Sequence, residues 1–234
     1  SIFVNPAQFA PGEDFDAYPR TLDQDAAMLT GAGCDLLFAP TARVMYPAGF
    51  DLTVHVGGPS AGLETDFRPH FFDGVATVVA KLFNQVRPDI AVFGEKDYQQ
   101  LLVVTRLAAD LDHGVDIVPA PILREPDGLA MSSRNAYLSK EDRQRAARLY
   151  AILTGMVTGL EAGTSIETAQ AEAIRAARLA FDSVDYIEAR CASTLATLPA
   201  GPLERPARIL AAVKLGSTRL IDNLAASPLA QATR

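Results

Sequence analysis

Residues 90–111, IAVFGEKDYQQLLVVTRLAADL, decide how the chain folds. Ile90 to Phe93 is a short apolar run that stops at Gly94, and the polar segment Glu95-Lys96-Asp97-Tyr98-Gln99-Gln100 follows at once. An apolar run this short, with no polar alternation, reads as a strand covered on both faces, as parallel sheets require. Asp97 and Gln100 stand in the D-x-x-Q spacing of a capping box, where two side chains satisfy the open N–H groups of a helix start. The helix they open is expected to run through Leu107 and Leu111, before a second strand at Val115 to Val118. Strand, helix and strand in this order form a βαβ unit and predict a parallel sheet.

The same alternation extends toward the amino terminus. Ile2 to Val4 and Asp35 to Phe38 are further strand candidates, and Thr21 with Gln24 forms a second capping box, opening a helix that stops near Gly31 and Gly33. Asp73 is a candidate N-cap for a helix whose apolar residues Val75, Val78, Val79, Leu82, Phe83 and Val86 recur at helical spacing until Arg87-Pro88 ends it. The opening Ser1-Ile2-Phe3-Val4 reads as a strand already under way without an initiator Met, so an upstream segment is expected.

Beyond Pro121 the pattern changes. A polar loop with Pro126-Asp127-Gly128 leads into two Ala-rich helices separated by Ala162-Gly163-Thr164. The first carries Leu149, Ile152, Leu153, Met156, Val157 and Leu160 on one stripe behind a Ser139 N-cap. Strand-like segments follow at Tyr186 to Ala189, Ile209 to Val213 and Thr218 to Ile221. The expected architecture is an α/β parallel-sheet domain over residues 1–122 and a smaller α+β domain over residues 123–234.

With 49% hydrophobic residues the chain can bury a sizeable core. The excess of 28 acidic over 21 basic residues, without a Lys/Arg block, argues against a nucleic-acid or anionic-membrane surface and favours a small-molecule partner. No apolar run approaches the roughly 18 residues needed to span a bilayer, so the cytoplasm is the default compartment. Cys34 and Cys191, far apart and beside apolar or strand-like residues, read as reduced, inert core thiols.

Ligands of open parallel sheets bind at the carboxyl ends of strands, so the residues just after each strand are the candidates for chemistry. They are Asn5 to Phe9, Gly94 to Gln100, and the loop Met131-Ser132-Ser133-Arg134-Asn135. Gly94 permits close backbone approach, and Lys96 puts a positive charge beside a helix start whose N–H groups favour an anion. Lys96 and Asp97 equally read as a solvated charge and a cap. Ser132, Ser133 and Arg134 offer two hydroxyls and a guanidinium fork that match polyphosphate oxygens, although Ser-Ser-Arg is also a common turn. Asn5, Gln8 and Gln100 are neutral amides able to bind hydroxyls and carboxylates, or to satisfy loop backbone. No Walker A loop, G-x-G-x-x-G or zinc-ligand spacing occurs, and His55, His70 and His113 are too scattered to form a triad.

These residues belong to longer strings. SIFVNPAQF (1–9), YPRT (18–21), MYP (45–47), GVATVVAKLF (74–83), FGEKDYQQ (93–100), DGLAMSSRN (127–135) and TRLIDN (218–223) closely resemble the pantothenate synthetase family, in family order and over nearly the whole chain. The resemblance implies a nucleotidyltransferase-type, Rossmann-like ATP- and pantoate-binding first domain and a second domain acting as a lid. It implies condensation of pantoate with β-alanine through a pantoyl-adenylate, with ATP as substrate, Mg2+ entering with it, and a cytoplasmic homodimer binding neither nucleic acid nor membrane. By resemblance, Gln8 and Gln100 hold pantoate with Asn5 beside them, and Gly94 and Asp97 contact ribose. Lys96, Ser132, Ser133 and Arg134 grip the triphosphate and stabilise charge during adenylation, while Leu123 and Met131 lie near adenine.

The chain departs from the family twice. The H-x-G-H signature is absent, which fits a missing first βα unit, on the order of tens of residues. His70 in Arg68-Pro69-His70-Phe71-Phe72 stands one position from the family's histidine, so no histidine role carries over. Two alternatives remain open at this point: another adenylyl- or nucleotidyltransferase of the superfamily, or a non-catalytic nucleotide-binding fragment.

Overall fold

The computed structural model describes residues 1–229. The chain divides into two units, Ser1–Ile90 with Val103–Asp116, and Ala91–Leu102 with Ile117–Arg234. In the first unit a 3-10 turn at Pro6–Gln8 is followed by α1 (Leu22–Gly31), the single-turn helices α2 (Ala42–Met45) and α3 (Glu64–Phe67), and the long α4 (Phe71–Val86). α1 stops where expected, with Gly33 at φ 79°. Its capping box does not form: the Thr21 hydroxyl donates to the Asp25 carboxylate at 3.3 Å instead of accepting a helix N–H. α4 starts three residues earlier than an Asp73 N-cap predicts, with His70 in the cap position, which leaves Asp73 inside the first turn, where a carboxylate still complements the helix dipole. Val75, Val78, Val79 and Phe83 of its stripe are buried, and Arg87 ends it in the left-handed region ahead of Pro88.

The strands expected at 2–4 and 35–38 do not form. A backbone hydrogen bond from Ile2 N–H to the Phe38 carbonyl at 3.0 Å joins the two stretches, without the repeated pairing that makes a ladder. Strand character depends on neighbours more than on residue type, and Leu36, 83% exposed, has none over its side chain.

The βαβ unit is present as β1 (Ile90–Gly94), α5 (Tyr98–Asp110) and β2 (Asp116–Ala120), with β1 and β2 paired in a parallel sheet. Here too the expectation of burial on both faces fails, because exposure alternates and Ile90 and Val92 are open. A 3-10 turn at Glu95–Asp97 links β1 directly to α5, so Asp97 ends that turn immediately before the helix.

The second unit contains α6 (Lys140–Ala146), α7 (Arg148–Glu161), α8 (Ile166–Ala180) and the antiparallel strands β3 (Ser183–Cys191), β4 (Ala207–Leu215) and β5 (Thr218–Ala226), in the order β3-β4-β5. Ser139 caps as expected, its Oγ accepting the Asp142 N–H at 3.0 Å, but a turn at Ala147 splits the single expected helix into α6 and α7. Leu149, Leu153, Met156 and Leu160 of α7 and Ala169, Ala173 and Ala177 of α8 pack on Ile187, Ile209, Ala211 and Val213. The small alanine side chains let α8 lie close, so the sheet is covered along a full helix length.

Neither cysteine is a core thiol. Cys34 is exposed just after the Gly33 turn, and Cys191 is half-buried at the last position of β3. The Thr194 and Ser193 side chains hold the Cys191 thiol down to about 7. Among the described residues no helix is long and apolar enough to cross a membrane.

Candidate active site

The 5–8 turn of the first unit is built on helix α4. Asn5, 3% exposed, donates from Nδ2 to the Gly74 carbonyl at 3.0 Å, and its Oδ1 accepts the Ala7 N–H at 3.2 Å and the Tyr46 hydroxyl at 2.6 Å. Both acceptor positions of the amide oxygen are thereby filled. Burial pushes the Tyr46 hydroxyl up to about 12, against the lowering effect of its Asn5 bond, and so keeps it a proton donor. Arg68 braces the other end of the turn: it donates to the Gln8 carbonyl at 2.9 Å while pairing with Glu13 at 2.6 Å and Glu64 at 3.0 Å.

Gly74 makes this seat possible. A Cβ at position 74 would stand 2.4 Å from the Ala7 carbonyl oxygen and 2.8 Å from its carbon, both backbone atoms. Gly74→Ala therefore forces the turn away from the helix, although alanine is the better helix former by about 1 kcal/mol. We expect a net destabilisation of about 1–3 kcal/mol, read as a lower urea midpoint. A midpoint at or above that of the wild type would show that the turn moves without cost.

The charged candidates lie in the second unit. Gly94 is the last residue of β1, Lys96 and Asp97 follow it, and Gln100 lies in the first turn of α5. The carbonyls of Glu95 and Lys96 accept from the Asn223 amide at 2.9 and 2.8 Å, which fixes the turn's backbone to β5. Lys96 Nζ has no hydrogen-bond or ion-pair partner among the described residues. A Cβ at Gly94 would meet nothing within 4 Å, so no part of the protein explains a glycine there.

Leu123 and Met131 stand opposite each other at the open end of a short hairpin closed by Pro126-Asp127-Gly128. The Met131 N–H donates to the Leu123 carbonyl at 2.9 Å, and Arg124 pairs with Ala130. Their side chains, 69% and 51% exposed, offer apolar surface to solvent. Ser132 caps the 3-10 turn Ser133–Tyr137, its Oγ accepting the Arg134 N–H at 3.3 Å, and so aims the serine–arginine segment as a preformed turn. The structure thus gathers Gly94, Lys96, Asp97, Gln100, Leu123, Met131, Ser132, Ser133 and Arg134 in one unit, and Asn5 and Gln8 in the other.

Several residues with work to do here carried no role in the sequence reading. Tyr46, Gly74, Asp222 and Asn223 stood in strings that carry the family resemblance, but neither they nor Arg68, Arg124 and Arg208 could be given a contact, since their partners are remote in sequence. His55 pairs with Asp73 at 2.8 Å on the surface, and the Nε2 atoms of His70 and His113 are buried without a partner among the described residues.

A parallel βαβ unit with a lysine-bearing turn after its first strand, and a helix-covered antiparallel sheet beside which a serine–arginine turn lies, define a mixed α/β protein. The sequence pattern described as pantoate-beta-alanine ligase matches residues 1–225. The chain belongs to that family.

A pantothenate synthetase of Maricaulis maris is 60% identical over 228 residues, spanning 97% of this chain and 79% of its own length. One from Mesorhizobium japonicum is 57% identical, with 96% and 78% covered. The crystal structure of pantothenate synthetase from Thermus thermophilus superposes with a TM-score of 0.90 at 48% identity, covering 95% of this chain and 81% of that one. A pantoate-beta-alanine ligase from Francisella tularensis, complexed with beta-gamma ATP and beta-alanine, gives a TM-score of 0.76 at 32% identity, with 95% and 77% covered.

Proposed function

We propose that this protein condenses pantoate with β-alanine at the expense of ATP, through a pantoyl-adenylate. A pantoate carboxylate oxygen attacks the α-phosphorus, the bond to the β-phosphate breaks and pyrophosphate leaves. The amine of β-alanine then attacks the acyl carbon and loses a proton, and AMP departs with the C–O bond electrons. Little covalent work falls to the protein, whose task is to hold reactants in line and to stabilise developing charge.

Family membership over residues 1–225 supports the reaction. The structural observation that carries the site assignment is the 94–97 turn, a rigidly held backbone with an unpartnered Lys96 ammonium and a glycine that no protein neighbour requires. Lys96, Ser132, Ser133 and Arg134 bind the triphosphate in this reading, Gly94 and Asp97 the ribose, and the exposed Leu123 and Met131 the adenine face. Gln8 and Gln100 hold pantoate, with Asn5 keeping the 5–8 turn in shape beside them. Magnesium arrives with ATP and needs few protein ligands. Residues 1–122 act as the ATP- and pantoate-binding domain and 123–234 as the lid that sequesters the adenylate. Membership in a family of biosynthetic ligases favours a cytoplasmic homodimer.

The test is ATP–pyrophosphate exchange by the full-length protein. Exchange should require pantoate. Exchange driven by other acids but not by pantoate would point to a different acceptor, and nucleotide binding without turnover would reduce the protein to a binding module.

A further inference from the structure

The consecutive residues Asp222 and Asn223 of β5 are nearly inaccessible, 3% and 2% exposed. Burying a carboxylate and an amide side by side is costly unless each is fully partnered. Strand geometry sends neighbouring side chains to opposite faces, so the pair reaches two different segments. Asp222, opposite Ala211, points to the helix-covered face and takes a two-point contact from Arg124 at 2.7 and 2.9 Å. That arginine also donates to the Gly128 carbonyl at 2.9 Å and stacks on the Tyr150 ring 4.3 Å away, which anchors the hairpin running into residues 131–134. Asn223 points to the other face. Its Nδ2 donates to the Glu95 and Lys96 carbonyls, and its Oδ1 accepts from Arg208 Nε at 2.6 Å. Arg208 in turn reaches the Glu95 carboxylate at 3.3 Å and covers the Tyr98 ring at 4.1 Å. β5 also touches both the 95–97 and the 133–137 turns.

We infer that Asp222 and Asn223 are positioning residues for adenylation: one dipeptide fixes the Lys96 turn and the Ser132–Arg134 turn to the same strand, and so sets the spacing of the groups that grip the triphosphate. The inference rests on the function proposed above and adds to it the element that preorganises the site. Neither side chain needs to touch substrate. A displacement of about 1 Å in such a frame costs on the order of 10²-fold in rate.

The experiment compares pantoate-dependent ATP–pyrophosphate exchange, per folded molecule, in wild-type protein, N223A, K96A and the double variant, with N223D as a second probe that keeps the Arg208 contact and loses the donors to the two carbonyls. N223A should lower kcat about 10²-fold with the KM for pantoate little changed, and the loss in K96A/N223A should fall well short of the product of the two single losses, because Asn223 acts largely through the turn that carries Lys96. Rates within about threefold of wild type in N223A, or losses that multiply in the double variant as independent effects would, overturn the inference while leaving the proposed function intact. If both N223A and N223D fail to fold, Asn223 is a folding residue and the inference fails. Wild-type protein without pantoate-dependent exchange overturns the function and the inference with it.

Discussion

Lys96→Ala is expected to lower pantoate-dependent ATP–pyrophosphate exchange by about 10²- to 10³-fold, the loss typical of removing one preorganised charge-stabilising donor. The size of the effect follows from how the turn is held. The backbone of Glu95 and Lys96 is bonded to Asn223, so the ammonium is carried on a support that does not have to reorganise when charge develops on the phosphates. The same geometry predicts a small effect on folding. Lys96 is half-buried and its Nζ has no partner among the described residues, so truncation orphans no buried group, and a stability change within about 0.5 kcal/mol is expected. Urea unfolding alongside the exchange assay separates the two. Exchange at the wild-type rate, or a loss of activity that tracks a loss of folded protein, would remove Lys96 from the proposed chemistry.

Arg68→Ala should produce the largest loss of stability, about 3–5 kcal/mol, the range for breaking a buried ion pair by deleting one partner. Arg68 is 13% exposed in its side chain and serves two carboxylates, with Glu64 at 8% and Glu13 at 25%, besides the Gln8 carbonyl and the Phe71 ring at 4.1 Å. Without it both carboxylates lose their guanidinium partner, and the 5–8 turn loses its brace.

The pH dependence is a second readout. Burial pushes the Glu13 carboxyl up, and the Arg68 bond and charge, together with an Ala10 backbone bond and the His70 charge, more than offset this, leaving it below the usual glutamate value of 4.5. A carboxyl depressed in the folded state contributes stability above its unfolded value and loses it as pH falls through the folded one. In Arg68→Ala the lowering influence of the guanidinium is gone and that of burial remains. The gap between wild type and variant should therefore be widest near neutrality and narrow as the pH drops below about 4.5, where Glu13 protonates. A gap constant from about pH 7 to about pH 3 would mean that the Glu13 pair does not contribute to it and that the loss comes from the other contacts of Arg68.

Much of the candidate site was legible because its residues cluster where strands end. Gly94, Lys96 and Asp97 follow an apolar run that does form a strand, and the 131–134 segment does form a turn. Helix stops at Gly33 and Arg87 and the cap at Ser139 came from short-range chemistry, in which a side chain meets a backbone group within a few residues. The readings that failed depended on neighbours. Thr21 had two acceptable partners within reach and took Asp25. Residues 2–4 and 35–38 have strand composition, but composition does not provide a ladder. The cysteines had apolar neighbours in sequence and yet lie at turns and strand ends.

The amino-acid order alone determined the βαβ unit, the stripes of α4 and α7, and the types of groups offered to a ligand, since periodicity, caps and side-chain chemistry act over one or two helical turns. Only the tertiary structure decided what those groups rest on. Asn5 meets Gly74 across 69 positions, and Asn223 meets Glu95 across 128. A buried amide must find partners wherever folding puts a carbonyl, and no local rule states in advance which carbonyl that is.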